Sequence, residues 1–469
     1  MYDILIIGSG ISALSFLDGL KIKNKNVGII SYKKKNKKVF DNINKLKLKE
    51  EDLPPRFNIN SNIQSYIEYL KKNKIHFKKE ISFFGYLNSG GVSNFWGCSC
   101  EFLTKKKINF LNSRKRDDLV NIFNLIYKKN NFTGNYNSEL ENTNFKKKKI
   151  DSFYFNIIEK TNTLKNKIQF YLNCIAVNKT NKLSFIPNNL NKDKLNKLKN
   201  LNYFVEKIEK KNSCYKVLCK DHHEKTIVIK TKKLVLAAGT IASTKLVMQM
   251  SNYKNKINIL HNPMIFGAFL AKKNLHITKN LEPSPLAAKI KTPKSNFSSI
   301  ANFRSSNIII KKKIFKKFFF MKNFISKKIF SLFEKKILFI NLYLDNKFSN
   351  LQIKIEKNGM TKISTKKSNL HTIKNELKVN LNTLYKNLRD NNLIYPLKYS
   401  YVPNLGTDNH FIGTLPISQK NKKLTLNENC ELRGYKNLYI VDGSSIPKSE
   451  IKFPTGLIIA NAYRIGKLL

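Results

Sequence analysis

One histidine stands in a context that could support proton transfer. His410 precedes Gly413 and Thr414 in a segment that reads Asn-His-x-x-Gly-Thr. An imidazole with an ordinary pKa of about 6.5 can accept a hydroxyl proton at neutral pH while hydride leaves the same carbon. His410 is therefore a candidate general base. The adjacent pair His222 and His223 lies in an apparent turn, and we expect both on the surface.

Two glycines near the start of the sequence indicate a dinucleotide site. The apolar run Tyr2 to Ile7 is typical of a buried parallel strand, and Gly8-x-Gly10-x-x-Ala13 follows it at once. Gly8 permits a tight turn, Gly10 lets the backbone approach a pyrophosphate, and Ala13 allows close helix packing. Because helical spacing comes next and a short apolar strand follows at Val27 to Ile30, these residues fit one βαβ unit.

The residue that ends the second predicted strand departs from the usual dinucleotide pattern. An acidic residue commonly binds the adenosine ribose there, but the sequence has Ser31, followed by Tyr32 and a run of lysines. A serine can donate one hydrogen bond to a ribose hydroxyl but cannot accept two as a carboxylate does. Ser31 is thus the candidate ribose contact, with weaker anchoring expected.

Four further segments could form a cofactor site. They are Asn88 to Cys100 (NSGGVSNFWGCSC), Leu234 to Leu246 (LVLAAGTIASTKL), Val441 to Pro447 (VDGSSIP) and Pro454 to Ile465 (PTGLIIANAYRI). Paired glycines can present backbone amides to phosphate, and the amino end of a helix stabilises negative charge. The segment 234–246 should be a strand that turns through glycine into a helix from Ala242.

Taken in order, these motifs resemble those of the glucose-methanol-choline (GMC) family of flavoenzymes, which oxidise alcohols by hydride transfer to FAD. The resemblance implies an α/β fold in which an FAD-binding Rossmann-like domain is interleaved with an α+β substrate domain. It assigns 1–115, 166–265 and 405–469 to the FAD-binding domain, and 116–165 and 266–404 to the substrate or cap domain. It also implies that His410 is the catalytic base.

The same resemblance implies a set of cofactor-binding residues. They are Gly8, Gly10, Ala13, Ser31, Gly90, Gly91, Ser93, Asn94, Trp96, Val205, Ala238, Gly239, Asp442, Gly443 and Thr455. Some family members attach FAD through a histidine in the Gly-Gly loop. Phe95 fills that position here, so we expect non-covalent FAD, with Cys98 as the alternative attachment point.

The sequence departs from the family between Ser449 and Gly456. Members usually place a second His or Asn there to hydrogen-bond the substrate oxygen, but Lys452 or Phe453 takes that place. A similar ending occurs in a branch associated with polysaccharide or nucleotide-sugar chemistry, which would make the substrate a sugar hydroxyl. Two alternatives stay open: a flavin-dependent reductase, which would not need His410, and a GMC-like flavoprotein that has lost turnover and acts as a binding subunit. The electron acceptor, oxygen or another, also stays open.

Composition limits the remaining functions. The 469 residues are 41% hydrophobic, enough for a sizeable core, and carry a net charge of +56. The charge comes from lysines spread through every segment rather than gathered on one element, and arginines are few, so we expect no nucleic-acid partner. No motif for a metal ion is apparent. Six cysteines lack a CxxC pair and are predicted to be free thiols in a reducing compartment.

We expect a cytoplasmic protein that acts on a small-molecule alcohol or sugar. The first residues belong to a strand and leave no room for a secretory signal, and no apolar run is long enough to span a bilayer. Phenylalanines and lysine pairs at nearly helical spacing over 314–340 predict an amphipathic helix. Such a helix could lie on an anionic membrane surface or pack its phenylalanines on its own domain.

Overall fold

The computed structural model describes residues 1–32, 59–94, 99–129, 152–161, 168–175, 198–275, 284, 286–291, 298–306, 331–366, 370–449 and 451–469. Within this part of the chain the protein is built on three main sheets with helices packed around them. The predicted α/β fold class is confirmed. In the same part, no helix combines the length and the apolar character needed to cross a membrane.

The first sheet has seven strands, in the order β7-β2-β1-β10-β9-β8, with β19 also paired to β10. The strands are β1 (Tyr2–Ile7), β2 (Val27–Ile30), β7 (Lys199–Leu201), β8 (Phe204–Lys211), β9 (Cys214–Lys220), β10 (Thr226–Leu236) and β19 (Leu438–Ile440). The pairs among β7, β2, β1, β10 and β19 are parallel, whereas β8, β9 and the first half of β10 form an antiparallel meander.

Register places the motif residues along one edge of this sheet. Ile7 at the end of β1 pairs with both Ile30 and Leu236, and Leu236 also pairs with Ile440. Parallel strands that end in register deliver the residues that follow them to the same edge, where ligands bind in open α/β sheets. The segments that begin at Gly8, Ser31, Ala237 and Val441 therefore leave the sheet together.

Helices on the first sheet belong to its core. They are α1 (Ile11–Gly19), α3 (Ser113–Lys129), α5 (Thr240–Met250) and α7 (Thr455–Leu468). A Cβ atom on Gly19 would collide with the carbonyl oxygen of Tyr463, and one on Gly466 would collide with that of Phe16. Helices α1 and α7 thus cross at close range because each presents a glycine to the backbone of the other.

A six-stranded antiparallel sheet forms the second body, in the order β18-β12-β15-β14-β13-β5. Its strands are β5 (Ile168–Leu172), β12 (Met264–Ala271), β13 (Leu286–Lys291), β14 (Ser298–Arg304), β15 (Ile337–Tyr343) and β18 (Ile394–Tyr401). Helices α4 (Ser152–Thr161) and α6 (Leu370–Asp390) cover one face and share its apolar core. The opposite face borders the candidate site.

Two smaller sheets complete the described structure. One has the order β11-β16-β17-β3, and the other pairs β4 with β6. Their strands are β3 (Ile75–Phe77), β4 (Ser99–Cys100), β6 (Cys174–Ile175), β11 (Ile257–Ile259), β16 (Leu351–Ile355) and β17 (Thr361–Thr365), and α2 (Ile59–Lys72) packs with the four-stranded sheet. Among the described residues, Cys100, Cys214, Cys219 and Cys430 are free thiols.

Several elements differ from their predictions. The strand expected at the start of 234–246 is the end of a longer strand, β10, which begins at Thr226, and α5 begins at Thr240 rather than Ala242. The amphipathic helix predicted over 314–340 is wrong for 337–340, which begin strand β15 because alternate side chains there pack into the sheet core. Residues 314–330 lie outside the described part, as does the lysine-rich stretch 33–51.

The domain division stays a prediction, but two elements pack across its boundaries. Leu119 and Phe123 of α3 lie in the core of the first sheet, although the division gives residues 116–165 to the substrate domain. Strand β5 pairs with β13 in the six-stranded sheet, although the division gives it to the FAD-binding domain. Local sequence carries no information about which sheet each of these elements joins.

Candidate active site

A cavity of about 820 Å³ lies between the edge of the first sheet and the open face of the six-stranded sheet. This volume is in the range of sites that enclose cofactors and small molecules. Gly8, Gly10 and Val205 line it on the first-sheet side, and Phe266 and Tyr401 line it on the other. One continuous space can thus hold a long ligand from the first sheet up to the second.

The loop after β1 meets a second glycine loop in the wall of this cavity. Gly8 has φ +109°, and a Cβ there would collide with Ala237 O, so only glycine fits the turn. A Cβ on Gly10 would lie 3.7 Å from Gly90 O, and the Gly90 N–H donates to Ser9 Oγ at 3.3 Å. A side chain at position 10 would therefore fill the narrow gap between the two loops.

The amino end of α1 opens at the same gap. Gly10 is its N-cap residue and provides no side-chain hydrogen bond, so the first backbone N–H groups of the helix are not capped by a side chain. Uncapped N–H groups and the helix dipole favour an anion such as a phosphate. Ala13 is fully buried in the core of the first sheet, as a residue needed for close helix packing would be.

The second glycine loop contributes two of its predicted residues to the cavity. Gly91 and Ser93 line it, and the Ser93 hydroxyl donates to Gly90 O. The Asn94 side chain does not line the cavity. Its amide donates to Ser89 O at 2.9 Å and so holds the loop together.

Asp442 joins two of the predicted segments. Its Oδ2 atom accepts from the Gly239 backbone N–H at 3.0 Å and from the Ser243 hydroxyl, while Oδ1 accepts from the N–H and hydroxyl of Ser444. Burial raises the pKa of Asp442, against the opposing effect of these hydrogen bonds. The carboxylate therefore fixes the turn before α5 to the turn at Gly443 where both reach the cavity.

Helix α7 directs its amino end at the cavity. Thr455 begins the helix, and both Thr455 and Ile458 line the space. Its N-cap residue is Pro454, which makes no side-chain cap. The positive end of the helix dipole can therefore stabilise a bound group that gains negative charge on reduction.

His410 lies in the wall beside two aromatic rings. Its ring centroid is 5.6 Å from that of Tyr343 and 5.7 Å from that of Phe453, and its Nδ1 atom is buried without a hydrogen-bond partner among the described residues. Burial lowers the pKa of His410, although the nearby Asp408 opposes the shift. The His410 imidazole is therefore neutral at neutral pH and can accept a proton.

Asp408 holds the backbone around His410. One carboxylate oxygen is 3.0 Å from His261 Nδ1, and the other accepts from the N–H groups of Asn262 at 2.9 Å and His410 at 3.2 Å. Burial alone would raise the pKa of Asp408, but His261, His410 and the Asn262 N–H together outweigh burial and lower it. Asp408 therefore stays ionised and fixes the start of the segment that carries His410.

Comparison with known proteins identifies the relatives of this chain. A family model described as "GMC oxidoreductase" matches residues 362–462, which include His410, Asp442 and Thr455. This carboxyl-terminal segment belongs to the GMC oxidoreductase family. The resemblance seen in the sequence is thereby confirmed, and the protein is an FAD-dependent oxidoreductase that acts on CH–OH groups.

The fold of this GMC protein agrees with a solved structure. The crystal structure of pyridoxine 4-oxidase from Mesorbium loti superimposes with a TM-score of 0.64 at 10% identity, covering 100% of this chain and 99% of the other. No curated protein matches the sequence significantly. The solved structure therefore supports the shared fold over the whole length of the chain.

Most predicted site residues of the GMC protein meet at one cavity. Those that line it are Gly8, Gly10, Ser31, Gly91, Ser93, Val205, Ala238, Gly239, His410, Asp442, Gly443 and Thr455. Ala13, Gly90 and Asn94 do not line it, though Gly90 faces Gly10 across the loop gap. Trp96 lies outside the described residues, as do Phe95 and Cys98. Individual cofactor contacts stay predictions.

The two residues at the family's second polar position have different surroundings. Phe453 lines the cavity next to His410. Lys452 is 1% exposed, and its ammonium lies 3.4 Å from Asp345 Oδ2 and 3.3 Å from Ser298 Oγ. Phe453 therefore takes the place beside the base, and Lys452 links the segment to the six-stranded sheet.

Sequence reasoning missed the contribution of β14 and β15. Asn302 and Arg304 of β14 line the cavity, as do Asn341 and Tyr343 of β15. The two residues of each strand are two positions apart, so their side chains lie on the same face of the sheet. Polar residues alternating with apolar ones in 337–343 were the signal that could have revealed this face. No group of three metal-ligating side chains occurs in the described parts of the chain.

Proposed function

We propose that this enzyme oxidises a CH–OH group of a sugar or another small alcohol by hydride transfer to N5 of non-covalently bound FAD, with His410 as the base. The observation that carries the proposal is the position of His410. It lies in the wall of the same cavity whose opposite end is formed by the apposed glycine loops. A base and a dinucleotide site that share one enclosed space suit hydride transfer between substrate and cofactor.

The residues around the cavity suit an FAD molecule. The gap at Gly10 and the uncapped start of α1 would accept the pyrophosphate, and Ser31 and Val205 would contact the adenosine end. The amino end of α7 at Thr455 would face the flavin. Bound FAD supplies the acceptor for the hydride, and the chain supplies its orientation and the enclosed surroundings.

His410 suits the proton-transfer part of the reaction. Because burial keeps the imidazole neutral, it can accept the hydroxyl proton as the C–H electron pair leaves with hydride and a carbonyl forms. Asp408 fixes the His410 backbone, and the rings of Tyr343 and Phe453 limit the movement of the imidazole. The product is an aldehyde or ketone, and the protein keeps one proton until FAD is reoxidised.

The wall opposite the first sheet suits a ring-shaped substrate with polar groups. Aromatic side chains of the six-stranded sheet line it, namely Phe266, Phe339, Tyr343, Tyr399 and Tyr401. Asn302 and Asn341 add amide groups, and Arg304 is the only Lys or Arg side chain in the described lining. Flat apolar faces with a few placed polar groups bind small molecules by packing and orient them by hydrogen bonds.

The test begins with the spectrum of the purified protein before and after acid precipitation. Flavin that leaves with the supernatant would support non-covalent FAD. Anaerobic mixing with D-glucose, benzyl alcohol and pyridoxine should then bleach the flavin with at least one of them. A protein that cannot be reconstituted with FAD would contradict the proposal.

His410→Ala separates this function from its alternatives. Loss of a general base should slow flavin reduction by about 100- to 10,000-fold while FAD binding is retained. His371→Ala, an exposed position on α6, is the matched control and should reduce flavin as the wild type does. Unchanged reduction of the flavin by the alcohol in His410→Ala would exclude the base assignment.

A further inference from the structure

Three rings enclose one corner of the cavity. The centroids of Tyr343 and His410 are 5.6 Å apart, those of Tyr343 and Phe453 are 5.4 Å apart, and those of His410 and Phe453 are 5.7 Å apart. All three residues line the cavity. A substrate hydroxyl within reach of the imidazole is therefore also close to the other two rings.

Neither Phe453 nor Lys452 can donate a side-chain hydrogen bond to the substrate oxygen. Phe453 has no hydrogen-bonding group. Lys452 is buried on the far side of the segment, where its ammonium meets Asp345 and its backbone N–H donates to Glu101 Oε2 at 2.7 Å. Within the three-ring corner, the Tyr343 hydroxyl is thus the one polar side-chain group besides the imidazole.

The strand holds Tyr343 towards the cavity. Phe339, Asn341 and Tyr343 alternate along β15 and line the space, whereas Leu338 and Leu342 pack into the opposite core. Asn341 lies two residues before Tyr343 on the same face and adds an amide group to the cavity lining. Tyr343 is itself buried in a small apolar cluster that includes Phe453, and this packing limits the movement of its ring.

The state of the phenol suits a donor. Burial raises the pKa of Tyr343, while Arg304 and Asn341 act in the opposite direction without reversing the shift. The hydroxyl is therefore protonated at neutral pH. A protonated phenol has one hydrogen to donate to an acceptor in the cavity.

We propose that Tyr343 is a second catalytic residue, which donates a hydrogen bond to the substrate oxygen while His410 removes its proton. The inference rests on the proposed alcohol oxidation. As the O–H bond breaks, the proton passes to His410 and the oxygen gains negative charge, which the phenol stabilises while it keeps its own proton. Hydride leaves the same carbon for FAD, so the substrate becomes a carbonyl compound.

Tyr343→Phe removes only the oxygen atom and is the central variant. We expect anaerobic flavin reduction by the best of D-glucose, benzyl alcohol and pyridoxine to slow on the order of 100-fold. Tyr385→Phe is the matched control, because Tyr385 is a buried tyrosine of α6, which packs on the opposite face of the sheet. Both variants should bind FAD and unfold as the wild type does, so that any difference reports the missing hydroxyl.

A second readout does not require turnover. 2,2,2-Trifluoroethanol resists hydride loss, and its affinity for the FAD-loaded protein can be followed by ¹⁹F NMR. Loss of one hydrogen bond should weaken its binding roughly fivefold in Tyr343→Phe and leave it unchanged in Tyr385→Phe. Failure of every alcohol to reduce the wild-type flavin would count against the proposed function, whereas the trifluoroethanol ratio would still decide the role of Tyr343.

Position 453 offers a rescue experiment. Asn introduced by Phe453→Asn would place an amide next to the Tyr343 and His410 rings, at the position where the family usually has a polar residue. The double variant Tyr343→Phe with Phe453→Asn should reduce its flavin at least tenfold faster than Tyr343→Phe alone, because the amide would replace the phenol as the hydrogen-bond donor. Equal reduction rates and equal trifluoroethanol affinities for Tyr343→Phe and Tyr385→Phe would overturn the inference.

Discussion

Gly10→Ala should separate cofactor binding from protein stability. Gly10 has φ −75° and ψ −176°, which any residue adopts, and the new methyl group would lie 3.7 Å from Gly90 O, an ordinary contact. Alanine is a poorer N-cap than glycine, but it also restricts the unfolded chain, and the two effects nearly cancel. The free energy of unfolding without FAD should therefore change by less than about 1 kcal/mol.

Binding of FAD should respond much more strongly to the same methyl group. If the pyrophosphate passes between Gly10 and the second glycine loop, the methyl group occupies the space that the phosphate oxygens need. Overpacking and a lost charged hydrogen bond together cost about 3 kcal/mol, or roughly 100-fold in Kd. Titration of the apoprotein with FAD by fluorescence quenching measures this change, and denaturant unfolding measures the stability.

Gly359→Ala gives the opposite pattern and completes the test. Gly359 has φ +78° and no atom within 4 Å of a Cβ. Alanine should cost about 1 kcal/mol of stability through backbone strain and leave FAD affinity unchanged. Wild-type FAD affinity in Gly10→Ala would refute the assignment of the pyrophosphate to the gap between the loops.

Two further predictions follow from buried ionisable groups. Burial lowers the pKa of His410, which lies beside Asp408 and His261. The rate of flavin reduction should therefore rise with pH, with the midpoint of the rise below pH 6.5 and a plateau near or below pH 7. A midpoint above pH 7 would contradict a desolvated base. Glu101→Gln should lower the free energy of unfolding by about 3 kcal/mol at pH 7, because Glu101 pairs with Lys107 Nζ at 2.5 Å and both side chains are buried. Burial raises the pKa of Glu101, but Lys107 and Lys452 outweigh burial and lower it. The stabilisation by the ion pair is therefore present above pH 4.5 and is lost as the pH falls through the pKa of Glu101 in the folded protein. A difference in stability between the variant and the wild type that persists in acid would count against the ion pair.

The dinucleotide half of the site was predictable because local sequence determines it. Gly8 needs a positive φ, Ile4 to Ile7 of β1 and the residues of β2 are apolar, and the distance between the two strands fits one helix. Parallel pairing then brings Gly8 and Ser31 to one edge without any further information.

The substrate half was not predictable in the same way. Tyr343 meets His410 only because β12 pairs with β15 and the segment at Phe453 reaches the same corner. These contacts join residues far apart in sequence, and no local pattern encodes them. The role of Asp408 escaped notice for a related reason, since its partner His261 lies on a distant segment.

The glycine contacts between α1 and α7 have a consequence for how the protein is made. The part of α1 that faces α7 is covered only when Gly19 meets Tyr463 and Gly466 meets Phe16, and the ribosome synthesises Gly466 about 450 residues after Gly19. At about 5 to 20 residues per second, the delay is roughly 20 to 90 s. During synthesis the nascent dinucleotide-binding unit therefore exposes a surface that chaperones can bind, and it cannot complete its folding until α7 emerges.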